Sequence, residues 1–396
     1  MNIDKGDCMK KIFFLQNEGK VLGGVFQVNK TLGLEFYRRG YEVTILSFRN
    51  NKSDFYEETP FKQVAINEKD EWKFVFKRDV LSSFSKGIRT FLKTLKLHVE
   101  QQKKLKKDYE DMKMYILRER PDFIIASHYQ TLLGIPKEYL SRTVFVQHST
   151  YHALECDRKN YDILKKFNHQ LLRLAWLSES AMNAAIKNGF DNSIYIYNPI
   201  RFRCDNRALV KKNKTIICLS RFSPEKRIDL MVKIVADVFN DKKFKTWKLK
   251  LYGTGKLDNE TEKIINNSKQ IFNMGITDEP RNVLLKSSLI LNTSKVEGFP
   301  LSLNEAFACG VPALSFNYGE AAKEQIINDY NGYVVDQDNI SEFKNKLIML
   351  LSDLDKLEIL GKNAKEFSNK FDVEKICDEW ERLFNEKIKR KPKKSN

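Results

Sequence analysis

Short apolar runs rich in β-branched residues alternate along this chain with longer stretches whose apolar positions recur at three and four. In the first part the runs are Ile12–Gln16, Tyr41–Phe48, Phe123–Ser127, Thr143–His148, Ala175–Ser178 and Ile194–Asn198, and Gln27–Arg39 is one of the helical stretches between them. A strand buried on both faces reads as a continuous apolar run, and parallel strands need a long crossover, usually a helix. The alternation therefore predicts an α/β fold with parallel sheets covered on both sides. The polar stretch Arg201–Lys214 interrupts the pattern and reads as a linker. The alternation then restarts with Thr215–Phe222, Trp247–Gly253, Ile271–Gly275, Ser288–Ser294, Pro312–Phe316 and Gly332–Val335. A chain of 396 residues is also longer than one core usually supports. We expect two doubly wound domains, residues 1–203 and 204–375, followed by a helix and a basic tail over 376–396. The helix should cover Val373–Lys389 and present Ile376, Trp380, Leu383 and Phe384 on one face. Ligands of such sheets bind beyond the carboxyl ends of the strands, so a central cleft faced by both domains is the expected site.

Composition removes several function classes. No run approaches the roughly 18–20 apolar residues of a membrane span. The apolar stretch Ile12–Leu15 is far too short for a secretory leader, and residues 1–8 read as an extension before the first strand. Cys8, Cys156, Cys204, Cys218, Cys309 and Cys377 form no CxxC spacing, which points to a reducing compartment and away from structural zinc. The five histidines are scattered and no HExxH occurs, so no metal site is expected. The formal charge of +17 is localised. Lys73–Lys107 holds eleven Lys/Arg against Asp79 and Glu100, and Lys387–Lys394 has no acid. These segments, 73–107 and 387–394, suggest an anionic surface as partner. No nucleic-acid-binding motif accompanies them, so no nucleic acid is expected.

The chemistry concentrates in Lys295–Pro312, where a run ends near Ser294, a Gly298-Phe299-Pro300 turn follows, and a helix should begin near Leu301 or Ser302. Backbone N–H groups at a helix start make an anion site. Glu297 and Glu305 flank it. A carboxylate beside a phosphate is unfavourable unless it binds something else, and sugar or ribose hydroxyls are suitable donors. Spacing alone leaves a plain strand–turn–helix with surface acids equally open.

The pattern Glu297-Gly-Phe-Pro-Leu, Glu305-Ala and Gly310-Val-Pro resembles the retaining glycosyltransferases of family four. The resemblance runs from Met9 to about Trp380 and is stronger in the second half. It implies the GT-B fold, two Rossmann-like domains facing a central cleft. Ser220-Arg221-Phe222-Ser223-Pro224-Glu225-Lys226 is similar to the family's first strand exit in the second domain, with Ser220 where glycine is usual. The resemblance gives Arg221 and Lys226 the donor diphosphate, where two cations offset the charge on a leaving nucleoside diphosphate. Gly23 and Gly24 match the glycine loop of the first domain, and His148, rather than the competing His128, matches a histidine facing the donor sugar. Thr254 stands where the family's Gly-Asp-Gly turn has an acid, and Ile276 is the implied contact to the base. Asn198-Pro199-Ile200 resembles the hinge-side turn.

By the same resemblance Glu305 meets the ribose, Glu297 meets the donor sugar, the amides around Phe299 to Leu301 receive the leaving diphosphate, and Gly298, Phe299, Pro300 and Leu301 bind the donor. The leaving phosphate helps deprotonate the acceptor on the same face, without a metal or other cofactor. The implied enzyme is a hexosyl- or N-acetylhexosaminyltransferase using a nucleotide sugar, with uridine as the expected base. Its acceptor would be a glycan, a lipid-linked acceptor or a surface-polymer precursor. The basic segments, interleaved with Phe74, Phe84, Leu92 and Leu95, fit an anionic membrane surface, hence a cytoplasmic protein peripheral to the inner membrane face. A solvated basic face is the plainer alternative. A non-catalytic partner subunit of the same fold is the alternative function, although such a subunit would be expected to lose Glu297, Glu305, Arg221 or Lys226.

Overall fold

A computed structural model of the chain describes residues 9–19, 23–50, 58–67, 88–204 and 213–389. The expectations for residues 1–8, 73–87 and 390–394, and for positions 205–212 of the polar stretch, lie outside the described residues.

Apolar runs become strands throughout. The first sheet has seven: β1 (Lys11–Gly19), β2 (Glu42–Asn50), β3 (Lys62–Asn67), β4 (Phe123–Ala126), β5 (Thr143–Gln147), β6 (Arg173–Trp176) and β7 (Ser193–Tyr195). Their order is β3-β2-β1-β4-β5-β6-β7. β1 pairs in parallel with β2 and β4, Phe14 standing opposite Ile45 and Ile125. The second sheet has six: β8 (Thr215–Leu219), β9 (Lys248–Tyr252), β10 (Ile271–Gly275), β11 (Leu289–Asn292), β12 (Ala313–Phe316) and β13 (Gly332–Val335). Their order is β10-β9-β8-β11-β12-β13, parallel throughout. Both sheets reverse strand order beside their first strand, at β1/β4 and at β8/β11, which is where doubly wound sheets open a binding crevice.

β3 has no counterpart among the expected strands. Its sequence, Lys-Gln-Val-Ala-Ile-Asn, is half polar, and the strand lies at a sheet edge and is no more than half-buried along its length, so it shows no apolar run. The helix expected over Gln27–Arg39 covers Gly24–Arg38. The last helix is Val373–Lys389, and Ile376, Trp380, Leu383 and Phe384 are all 5% exposed or less.

By contacts the chain forms two compact units that interleave in sequence. One contains Met1–Val146, Asp162–Leu174 and Lys387–Asn396; the other contains Gln147–Tyr161 and Ala175–Glu386. Their limits differ from a single cut at 203/204. The second unit takes in the His148 loop and most of the last helix.

Its core packs Ile216, Val232, Val235, Trp247, Leu249 and Leu251 with side chains of the flanking helices. Trp247 is the largest of these and is 1% exposed. Trp247→Ala is expected to cost about 3–5 kcal/mol of unfolding free energy, from lost transfer energy and the cavity left behind. Urea titration followed by circular dichroism measures it.

Candidate active site

The switch point of the second sheet brings Lys226 and Glu297 together. β8 and β11 lie side by side with Leu289 opposite Ile216, so their exits run together. After β8 the chain makes a short 3-10 turn, Pro224–Lys226. After β11, Thr293 Oγ1 donates to the Lys226 carbonyl at 2.9 Å and the Arg227 carbonyl at 3.0 Å, and the Lys295 amide donates to the Glu225 carbonyl at 2.7 Å. The two exits are thus joined by hydrogen bonds to the backbone. That brings the Lys226 ammonium onto the Glu297 carboxylate in an ion pair, with both side chains largely covered. Ser294 Oγ donates to the same Glu297 oxygen at 2.7 Å. Arg221 stands apart: its side chain is 72% exposed and lies 3.7 Å from Glu225.

The glycine-rich turn beyond β9 runs against the β8 exit. The Ser220 amide donates to the Tyr252 carbonyl at 3.0 Å and the Phe222 amide to the Thr254 carbonyl at 2.6 Å. A Cβ on Gly253 would stand 1.8 Å from the Ser220 carbonyl oxygen, so only glycine fits. The Gly253 amide donates to Gly275, the last residue of β10, and half-buried Ile276 follows it.

The loop Glu297–Pro300 is held on every side. A Cβ on Gly298 would lie 2.3 Å from the His148 carbonyl oxygen; glycine here lets the His148 backbone close against the loop. The Glu297 amide donates to the Tyr318 carbonyl at 3.1 Å. Phe299 is 4% exposed, with its ring centroid 5.3 Å from Tyr197 and 5.4 Å from Phe371. Gln325, fully buried, donates to the Pro300 carbonyl at 3.0 Å and takes the Tyr318 hydroxyl. Tyr197 is fixed in turn by donating to Glu324 at 2.6 Å, and the same carboxylate receives the amides of Glu179 and Ser180.

The helix that follows is Leu301–Ala308, as expected. Its N-terminus at Pro300 has no side-chain cap, while its C-terminus closes with the Gly310 amide on the Phe307 carbonyl and the Val311 amide on the Ala306 carbonyl, both at 2.8 Å. Gly310 at φ 64° supplies the left-handed residue that this closure requires, so the Gly310-Val311-Pro312 signature is a helix stop. An uncapped N-terminus leaves its first amides and the positive end of the helix dipole to a ligand.

His148 ends β5 as anticipated. Its Nε2 is sealed from solvent without a hydrogen-bond partner, and burial brings its pKa down to about 4, so the ring is neutral at pH 7. The competing His128 is used structurally, its Nδ1 capping the short helix Tyr129–Leu133 by accepting from the Gln130 amide at 3.4 Å. His152 is exposed, with Nδ1 3.6 Å from Glu155. Gly23 and Gly24 open the helix after β1 in the other unit. Gly23 has φ −150° and room for a Cβ, so neither backbone strain nor packing calls for glycine there.

Glu305 holds a surprise. It is 2% exposed, and Arg201 grips its carboxylate as a fork, Nε to one oxygen and Nη2 to the other, the latter at 2.9 Å. Arg201 belongs to the stretch read as a linker. Its turn is tied down where the Ile200 amide donates to the Phe371 carbonyl at 2.9 Å. No sequence signal marks a partner 104 residues away. Ser294, Tyr197 and Gln325 escaped sequence reasoning likewise; each acts by contact across the fold.

The family described as glycosyl transferases group 1 matches residues 204–367. An uncharacterized glycosyltransferase of Haemophilus influenzae is 25% identical over 94% of this chain and 99% of its own length. A poly(ribitol-phosphate) alpha-N-acetylglucosaminyltransferase of Staphylococcus aureus is 30% identical over 171 residues, 42% of this chain and 34% of that protein. The crystal structure of a mutant of S. aureus TarM in complex with fondaparinux, alpha-GlcNAc-glycerol and UDP matches at TM-score 0.75 and 17% identity, over 95% of this chain and 100% of that one, which shows the fold.

The buried His148 gives a pH expectation. In the unfolded chain histidine protonates near pH 6.5, but in the fold only near 4. The unfolded state therefore binds more protons between those values, and this residue's share of stability is lost as pH falls from about 6.5 to 4. His148→Gln should flatten that part of the stability profile, read by thermal unfolding across the window.

Proposed function

We propose, from the premise that this chain is a group 1 glycosyltransferase with the GT-B fold, that it moves a hexosyl or N-acetylhexosaminyl group from a UDP-sugar to a glycan, lipid-linked or surface-polymer acceptor, with retention at the anomeric carbon. The observation that carries the reading is the Lys226–Glu297 pair beside an uncapped helix start at the sheet's switch point. Lys226, with the exposed Arg221, receives the diphosphate. The first amides of the Leu301–Ala308 helix add hydrogen bonds to it. Once the diphosphate takes the lysine, the Glu297 carboxylate turns to the hydroxyls of the donor sugar and stabilises positive charge at its anomeric carbon. Neutral His148 offers the sugar a hydrogen bond without adding charge. Glu305 accepts from the ribose hydroxyls when the Arg201 fork yields. Ile276 borders the base.

None of these groups is a covalent nucleophile in the proposed scheme. The acceptor hydroxyl attacks the anomeric carbon on the face the diphosphate leaves, and a departing phosphate oxygen takes its proton. Rate then comes from positioning and from charge stabilisation of the leaving group. A UDP donor is supported by the UDP in the TarM complex, and a surface-polymer acceptor by the poly(ribitol-phosphate) enzyme.

A location at the inner, cytoplasmic membrane face is supported by the helix Ile88–Glu119. Leu92, Leu95 and Val99 lie 57%, 37% and 45% exposed on one helical stripe. Lys96, Lys103, Lys106 and Lys107 are exposed around it. Apolar side chains open to water among lysines fit the boundary of an anionic bilayer, where each cation adds about 1 kcal/mol. Among the described residues no helix is long and apolar enough to cross a membrane.

Glu297→Gln is expected to lower kcat/KM on the order of a hundredfold in a UDP-release assay; unchanged turnover would remove Glu297 from the site. Proton NMR of the first product formed should show the donor's anomeric configuration, and an inverted product would refute retention. Sedimentation with vesicles containing anionic lipid should capture the protein. Replacing Lys96, Lys103, Lys106 and Lys107 by Gln should abolish capture while UDP release on a soluble acceptor persists.

A further inference from the structure

Two thiols meet at the far end of the helix that carries Glu305. Cys309 is the residue that closes this helix, and it is 2% exposed. Cys204, only half-buried, comes from the segment that also supplies Arg201. The Sγ atoms are 2.7 Å apart across 105 residues of sequence. That is well inside the roughly 3.5–4 Å at which heavy atoms merely touch. The spacing explains why no CxxC pattern announced the pair.

The surroundings of Cys204 are those of a reactive thiol. It lines a pocket of about 470 Å³ together with Arg201, Arg203 and Lys365, large enough for a small-molecule reagent. The hydrogen bond with Cys309, helped by Arg281, brings the Cys204 thiol down to about 7. A thiol whose pKa is close to ambient pH is the most effective attacker in disulfide exchange. Cys218 is the contrast. It is buried in β8, where burial pushes its thiol up to about 12.

We propose that Cys204 and Cys309 form a redox-active dithiol, oxidised reversibly to an intrachain disulfide by small disulfides such as oxidised glutathione. The Cys204 thiolate attacks one sulfur of the reagent, forming a mixed disulfide and expelling one glutathione thiolate. The Cys309 thiolate then attacks the Cys204 sulfur, closing the protein disulfide and expelling the second. Two protein thiols give up two protons and two electrons in all, and one small disulfide becomes two thiols. The bridge ties the segment holding Arg201 to the helix holding Glu305. The chemistry depends on the two sulfurs and their access, so it stands independently of the sugar-transfer reading.

The test uses the full chain at pH 7.5 with oxidised glutathione, followed by alkylation and non-reducing peptide mapping. The expected product is one cross-linked peptide pair joining Cys204 to Cys309, lost again on adding dithiothreitol. Cys309→Ser should stop at a stable glutathione adduct on Cys204. In Cys204→Ser, Cys309 should stay unmodified, because it lacks access of its own. Circular dichroism checks that both variants are folded, and each substitution separates the attacking from the resolving sulfur. Recovery of both residues singly alkylated from folded wild type, or bridging to another cysteine in preference, would overturn the proposal. So would equal reactivity of Cys309 without Cys204.

Discussion

The ion pair between Lys226 and Glu297 exists because β8 and β11 are neighbours. The residues are 71 positions apart, Lys226 at the end of a 3-10 turn that Arg227 closes at φ 54° and Glu297 in the loop beyond β11. The sheet order places one strand exit against the other, and three hydrogen bonds from Thr293 and Lys295 to backbone carbonyls of the facing exit hold them there. A largely covered pair of this kind adds little net stability, because desolvation offsets most of its attraction. In the proposed function its value is electrostatic readiness: a cation and an anion lie together at a strand exit, where each would exchange its partner for part of a ligand that carries both phosphate and hydroxyls.

Rigidity around that pair comes from contacts that do no chemistry. Gly298 lets the His148 backbone close on the loop, Phe299 is boxed by Tyr197 and Phe371, and Gln325 pins the Pro300 carbonyl. Glu324 ties Tyr197 to the first amides of the helix Glu179–Lys187. A loop so held does not have to be ordered when a ligand arrives, which spares the entropy that positioning would otherwise cost. Glu305 differs: Arg201 occupies both its carboxylate oxygens in one fork, which has to open before that carboxylate takes another partner.

Period and punctuation made much of this legible in the sequence. Buried parallel strands are continuous apolar runs, so all six strands of the second sheet could be placed, and the helix Val373–Lys389 could be placed with its buried face. The edge strand β3 escaped because it is only half-buried and so tolerates polar residues. At the candidate site, Glu297, Glu305, Arg221 and Lys226 could be singled out in the sequence because a motif or a strand exit marks each. Arg201, Ser294, Gln325 and the Cys204–Cys309 contact could not. Each depends on which side chains a finished fold brings together, and the stretch containing Arg201 looked like a linker because polar composition is shared by linkers and by ion-pairing segments.

In the proposed function the switch point of the second sheet holds a nucleoside diphosphate through Lys226. Isothermal titration of UDP into wild type and Lys226→Ala tests it most directly. UDP is expected to bind wild type and to bind the variant at least about tenfold more weakly, a loss of roughly 1.4 kcal/mol. UDP binding of equal affinity to both proteins would contradict it.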